Sequence, residues 1–360
     1  MNIYVVDGLN GITNIIDAYK SVIWNVQYYG TSDFELTVIA NDSTVNTLTK
    51  GKYLVRDIDV KNGEYNNVMI IESRALSFDV ETGWLLTLRG KGLKNLLRRR
   101  IAWNQISLTG KIEFIIRQLI IDNVINPADP ARKIDDFVLD AEQEFTEEMI
   151  DTESDNQLTG EKISEWISSI CERYSIGWDI YIKDGKYHFK LYKGIDRTYD
   201  QSDVPPVIFS PEFDNLIRST VTEDITDFCN AAIVAGEGEG TAQRIVSIGE
   251  ATGVDRYESY IDASSVSSNG KIITLDVYMQ MLTNYGNEQL KKAQQIINVE
   301  GEIYANGVYK INEDYFLGDL VQIENEYKIS AQARIIEIIY SEDENGSSVI
   351  PTFGKWESEV

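Results

Sequence analysis

The sequence predicts an α+β, β-rich fold, with two similar strand-rich units and two smaller α/β segments inserted between their parts. Three observations predict it. The opening and closing stretches read as strands, the middle carries helical periodicity, and short pieces of the opening unit recur near the end. At 360 residues the chain is long enough for two or three domains and a sizeable core without a disulfide or metal staple. It carries 33 Lys and Arg against 58 Asp and Glu, a net charge of −25. Sequence-independent nucleic-acid binding needs a basic footprint and is excluded on that balance. Disorder is excluded by a 43% hydrophobic content with 20 Tyr, 11 Phe and 6 Trp to pack.

Strands are expected at 24–28 and 34–39, joined by a turn at Gly30-Thr31-Ser32-Asp33, and then at 53–56, 68–72 and 84–88. Residues 90–100 read as a short helix with Leu93, Leu96 and Leu97 on one side and arginines at its C-terminal end, where cations suit the dipole. In the middle region, Ile112, Ile115, Ile116, Leu119 and Ile120 predict a helix over 111–124. Ile163, Trp166, Ile167, Ile170, Cys171 and Tyr174 predict another over 161–174. A hairpin follows at 178–192, with Trp178, Ile180 and Ile182 alternating up and Tyr187, Phe189 and Leu191 down. After Asp203-Val204-Pro205-Pro206, strands return at 218–221 and 231–235. A helix is expected at 283–298 with Leu290, Ala293, Ile296 and Ile297 inward, and the tail is strand-rich again.

The chemical inventory is thin. His188, the single histidine, rules out multi-histidine zinc sites and sits on the polar parity of its hairpin beside Lys190, where an exposed side chain is expected. Cys171 falls on a helix's apolar stripe and reads as a buried hydrophobe, and Cys229 has no CxxC partner. Residues 134–161 hold eleven acids and no Lys or Arg, a solvated loop by composition. Within them Asp151, Glu153 and Asp155 alternate as in a calcium loop but lack its Gly and closing Glu. The run Gly236-Glu237-Gly238-Glu239-Gly240 has no following Lys-Ser/Thr, and its glutamates repel phosphate, so it reads as a flexible turn. No basic, apolar leader opens the chain and no apolar run is long enough to span a bilayer. No cofactor or metal is expected. The one dense basic cluster is Arg89, Lys91, Lys94, Arg98, Arg99 and Arg100. It reads either as helix-end cations with local ion pairs or as an electrostatic contact for an acidic neighbouring subunit or partner protein.

The repeat is the most informative feature. Met69-Ile70-Ile71-Glu72-Ser73, Glu81-Thr82-Gly83 and Gly90-Lys91 recur as Arg334-Ile335-Ile336-Glu337-Ile338, Glu344-Asn345-Gly346 and Gly354-Lys355, at offsets of 265, 263 and 264. Upstream, Ser32-Asp33-Phe34 and residues 37–40 resemble Thr226-Asp227-Phe228 and residues 232–235. Asp33 to Ile70 spans 37 residues and Asp227 to Ile335 spans 108, so the second copy holds 71 more, expected as an insertion at roughly 240–300. Two similar units per chain let three chains form a ring of approximate sixfold symmetry, which can join a hexameric tube to a trimeric tip and cover exposed sheet edges.

Three segments carry a family resemblance. They are Trp24 with Gly30-Thr31-Ser32-Asp33-Phe34-Glu35-Leu36; Gly90-Lys91-Gly92-Leu93-Lys94-Asn95-Leu96-Leu97-Arg98-Arg99-Arg100-Ile101; and Asp314-Tyr315-Phe316-Leu317-Gly318-Asp319-Leu320-Val321 followed by residues 333–338 and Phe353-Gly354. In these the sequence resembles the tail-hub proteins of tailed bacteriophages and phage-tail-like particles, also called baseplate hub or tail-associated proteins. The resemblance implies a homotrimer at the virion tail tip. Each chain would hold a tube-like β-barrel at 1–103, an α+β domain at 104–208, a second tube-like barrel from 209–240 and 300–360, and an insert at 241–299. It implies a place between the tail tube or distal tail protein and a tip, spike or receptor-binding protein. A channel would pass the tape-measure protein, or DNA without binding it. In that role the surplus acids are expected to line the channel and repel phosphates. A structural, non-enzymatic role is expected. The alternatives are a carbohydrate-binding receptor-recognition module, using tyrosines as stacking platforms, and a carboxylate-dependent cell-wall glycosidase.

Overall fold

The computed structural model describes the chain apart from residues 104–105, 108–109, 144–148, 151–156, 159, 269–272, 294–295, 304–306, 325–326, 328–329 and 355–360. The alternating Asp151, Glu153 and Asp155 lie outside the described residues, as does Lys355 of the last repeat anchor.

The opening unit contributes β1 (Ile3–Val6), β2 (Ile12–Ile16), β3 (Ser21–Gln27), β4 (Asp33–Ile39), β5 (Tyr53–Arg56), β6 (Met69–Asp79) and β7 (Gly83–Gly92). Alternation sets their faces: Val22, Trp24 and Val26 of β3 and Phe34, Leu36 and Val38 of β4 all point into one core. The helix read at 90–100 shrinks to Asn95–Arg98, because Gly90–Gly92 extend β7 and pair with β6 instead.

In the middle, α1 (Ile112–Ile120) runs into a π turn at Ile121–Ile125, and α2 (Ile163–Arg173) leads to the hairpin β8 (Gly177–Lys183) and β9 (Lys186–Tyr192). Trp178 faces Leu191 and Ile180 faces Phe189, the parity read from the sequence. These elements bury their apolar faces against Val6, Val55, Ile70, Leu93 and Leu97 of the opening unit, forming a second core. Cys171 is buried there, and burial pushes its thiol up to about 12. His188 departs from expectation. It is half-buried, with Nδ1 2.7 Å from Asp140 Oδ1. The short strand Phe137–Leu139 pairs parallel with β9 and so delivers Asp140 to it, where the carboxylate also accepts a bond from the Tyr181 hydroxyl at 2.7 Å.

The closing unit contributes β10 (Leu216–Asp224), β14 (Ile296–Ile303), β15 (Leu320–Glu324), β16 (Ser330–Asp343) and β17 (Gly346–Phe353). Between β10 and β14 stand β11 (Ala231–Ala235), β12 (Ile245–Ile248) and β13 (Glu258–Asp262), a separate sheet packed on α3 (Leu275–Lys292) through Val234, Ile248, Tyr278 and Leu282. Two expectations change here. Residues 231–235, read as the counterpart of β4, belong to this inserted sheet. The helix expected at 283–298 begins earlier, at Leu275, and Ile296 and Ile297 open a strand. The glycine run is also tied down: the Glu237 carboxylate accepts bonds from the Ser267 hydroxyl and from the amide and hydroxyl of Ser268.

Both units lie in one 14-stranded sheet of order β10-β14-β17-β16-β3-β4-β7-β6-β5-β1-β2, with β15 paired to β16 off that path. Each unit therefore has the same internal order: β3-β4-β7-β6-β5 in the first, and β10-β14-β17-β16-β15 in the second. The likeness extends to detail. A bulge interrupts the β6–β7 ladder between Ile71 and Ser73, and another interrupts β16–β17 between Ile335 and Glu337. Each hairpin turns on an aspartate that accepts backbone N–H groups, Asp79 from Glu81 and Asp343 from Asn345, and each return strand opens on a positive-φ glycine, Gly83 or Gly346. Trp24, Leu36 and Leu88 of the first unit share one core with Phe209, Val321, Ile335 and Phe353 around the second.

Candidate assembly interface

The two units meet edge to edge where β3 pairs antiparallel with β16, from Ser21 opposite Asp343 to Gln27 opposite Glu337. Gln27 Nε2 donates to Glu337 at 3.0 Å, and the Thr352 hydroxyl donates to the same carboxylate at 3.0 Å. On the core side, Tyr340 of β16 sits opposite Trp24. The Arg56 guanidinium stacks 3.8 Å above the Tyr340 ring and ion-pairs with Asp59 at 2.5 Å. Both partners of that pair are buried, so losing either would strand a charge.

Tyr28, just past β3, fastens three parts of the chain. Its hydroxyl accepts from the Gly194 amide at 3.2 Å and lies 3.2 Å from the Tyr192 carbonyl, to which it donates. Burial raises its pKa to about 12. Gly177 of β8 and Gly318 before β15 press on the ring so closely that a Cβ at either would overlap it. Beneath it Lys94 is buried. Its Nζ donates to the carbonyls of Gln27 (2.8 Å), Tyr28 (3.0 Å) and Gly30 (3.0 Å) and lies over the Trp178 ring. Burial pushes this ammonium down to about 8.

The rest of the basic cluster is dispersed. Arg89 pairs with Glu35 at 2.6 Å and Lys91 with Asp33 at 2.9 Å, both across β4–β7. Arg98 meets Glu165 at 3.3 Å, Arg99 meets Glu72 at 3.5 Å, and Arg100 donates to the Arg132 carbonyl at 2.7 Å. The six cations thus fall on separate surfaces, and one of them is core. The roles of Lys94, Tyr28 and the Arg56–Tyr340 stack were invisible to sequence reading, because nothing in local periodicity distinguishes a buried lysine from a helix-end one.

A cavity of about 450 Å³ opens beside this junction, lined among others by Asp59, Asp179, Lys190, Asp319 and Tyr340. Its carboxylates are engaged: Asp59 with Arg56, Asp319 with Arg197 at 2.7 Å, and Asp179 with Lys190 at 4.0 Å.

The equivalent edge of the first unit is bare. β5 pairs with β6 only at Ile70 and Met69, leaving residues 74–79 of β6 without a strand on that side among the described residues. Leu76, Phe78 and Trp84 continue the core-facing side of the sheet there and stand 53%, 59% and 52% exposed, with the Phe78 and Trp84 rings 5.2 Å apart.

Comparison with known proteins agrees with this architecture. A model of the siphovirus ReqiPepy6 Gp37-like proteins matches residues 2–355. The chain belongs to that family. No curated protein sequence matches it. Among solved structures this Gp37-like protein is similar to the 43 kDa tail protein of prophage MuSo2 from Shewanella oneidensis, at 11% identity and a TM-score of 0.62 over 98% of each chain. It is similar also to a tail protein from Neisseria meningitidis MC58, at 14% identity and a TM-score of 0.58, covering 99% of this chain and 96% of that one. A third likeness is to the prophage tail protein gp18 from Listeria monocytogenes EGD-e, at 10% identity and a TM-score of 0.54, again over 99% and 96%. The Gp37-like chain therefore has the β-rich α+β fold of phage tail proteins.

Proposed function

We propose that this Gp37-like protein is the structural hub at the distal end of a phage or phage-like tail. Three copies form a pseudo-sixfold ring that joins the tail tube or distal tail ring to the tip and leaves a channel for DNA or the tape-measure protein. The observation that carries this reading is the repeated strand order within one continuous sheet: two equivalent units already stand side by side in the chain, as neighbours in a ring would. The sheet face opposite the core suits a channel wall. Its cations Arg89 and Lys91 are neutralised by Glu35 and Asp33, and Thr37, Thr87, Gln27 and Glu337 stand on the same side, so this stretch offers phosphates no unpaired cation. The work is done by shape and buried interface, not by chemistry.

The test is mass by light scattering over a wide concentration range, followed by negative-stain imaging of the largest species. Three chains in a six-lobed ring with a central opening are expected. A species of two or four chains, or a compact particle without an opening, would overturn the hub reading.

A further inference from the structure

The bare edge of β6 has a complementary edge elsewhere in the same chain. At the far end of the large sheet, β10 pairs with β14 on one side and with no strand on the other among the described residues. The two units can be aligned through their pairings. Ser73 faces Arg89, which faces Glu35, which faces Ile23. Glu337 faces Thr352, which faces Glu300, which faces Thr220. So β10 is the counterpart of β3, and β6 is the counterpart of β16. Within the chain, β3 fills the edge of β16, with Ile23 opposite Ser341. Among the described residues, no strand of the same chain fills the edge of β6 beyond Ile70.

We propose that β10 of one copy pairs antiparallel with residues 73–79 of β6 in a second copy, repeating between chains the β3–β16 joint that exists within each. The proposal rests on the ring reading above and supplies its contact. The equivalence fixes the register: Thr220 stands opposite Ser77, because Ser341 and Ser77 occupy the same place relative to the two bulges. That register sets Arg218 opposite Asp79, Glu223 opposite Arg74 and Val221 opposite Leu76. Opposite charges thus stand at both ends of the joint and an apolar pair between them, although the alignment was derived from backbone pairing alone. It also accounts for Leu76 and Phe78, which face the core side of the sheet on the edge that β10 would cover. The joint is heterologous, presenting a different edge on each partner, so it closes only as a ring.

The experiment places Ser77→Cys and Thr220→Cys in one chain that also carries Cys229→Ser, leaving Cys171 buried. Mild oxidation by copper–phenanthroline is expected to give covalent dimers and trimers, ending at trimer. The pair Ser77→Cys and Asp224→Cys is displaced by roughly 13 Å along the strand and is expected to give none. Adding Asp79→Arg to the first variant is expected to lower the yield about threefold, and adding Arg218→Asp as well is expected to restore it. Trimers by mass with no Ser77–Thr220 cross-link would overturn the pairing and leave the hub reading standing. A covalent ladder running past trimer would keep the pairing and overturn the threefold hub. Absence of any cross-link at the highest concentration reached would overturn the pairing.

Discussion

The hairpins β6–β7 and β16–β17 share a bulge, a turn aspartate and a strand order, yet they meet opposite surroundings. In the second, Tyr340 faces Val349 and Trp24 and is 9% exposed, because β3 lies along its strand and Arg56 caps its ring. In the first, Leu76 faces Leu86 at the equivalent place and is 53% exposed, because no strand among the described residues pairs with β6 there. The same sheet design is finished in one copy and open in the other. Burial at these positions is therefore set by the neighbouring strand and not by the hairpin's own sequence.

Breaking the finished copy should have the largest effect. Tyr340→Ala removes a buried ring and leaves the Arg56 guanidinium with Asp59 but without the ring it stacks on. A loss of about 3–5 kcal/mol is expected in urea unfolding of the single chain. A loss under about 1 kcal/mol would mean that the β3–β16 joint is loosely packed, and the contrast between the copies would lose its energetic basis.

A smaller effect is expected at Lys94, which holds the end of β3 from below. Lys94→Met leaves one buried and two partly buried carbonyls without their donor, at a cost of about 1–3 kcal/mol near neutral pH. The folded ammonium titrates at about 8 and the unfolded one at its ordinary 10.5, so between these values the unfolded chain binds more protons than the folded one. The site's contribution to stability therefore rises with pH across that window. Unfolding measured from pH 8 to 10 should show wild type gaining on Lys94→Met, and a constant gap would mean that the lysine is solvated.

Much of this architecture was legible in the sequence. The hairpin anchors near 70 and 335 lie at equivalent places because strand, bulge and turn together fix residue spacing. The size of the insertion was nearly legible: Thr220 to Glu300 spans 80 residues where Ile23 to Glu35 spans 12, an excess of 68 against the expected 71. Its position was not. Asp-Phe before a short apolar strand occurs at both 33 and 227, but residues 231–235 pair within the insert, and a five-residue strand carries no information about its partner. The true counterpart of β4 opens with Ile296 and Ile297, which also fit the period of the preceding helix and so disguised a strand as a helix end. Of the two readings of the basic cluster, the local ion pairs are present, but the cations do not form one surface. Six cations within twelve residues look like one patch, but β7 ends at Gly92 and the following turn sends Lys94 inward, with Arg98–Arg100 beside α2.

The smallest expected effect is the most telling for the comparison. In the dilute single chain, Leu76→Ala deletes a side chain that is already half in water, so its cost should stay under about 1 kcal/mol, well below that of Tyr340→Ala at the matching position. If a second copy finishes the sheet, the same substitution is expected to lower the concentration-dependent mass at protein levels where wild type associates. A large loss in the dilute chain would show that β6 is already covered, and the difference between the hairpins would then lie within one molecule. A small loss in the dilute chain together with weakened association would locate the missing neighbour outside it.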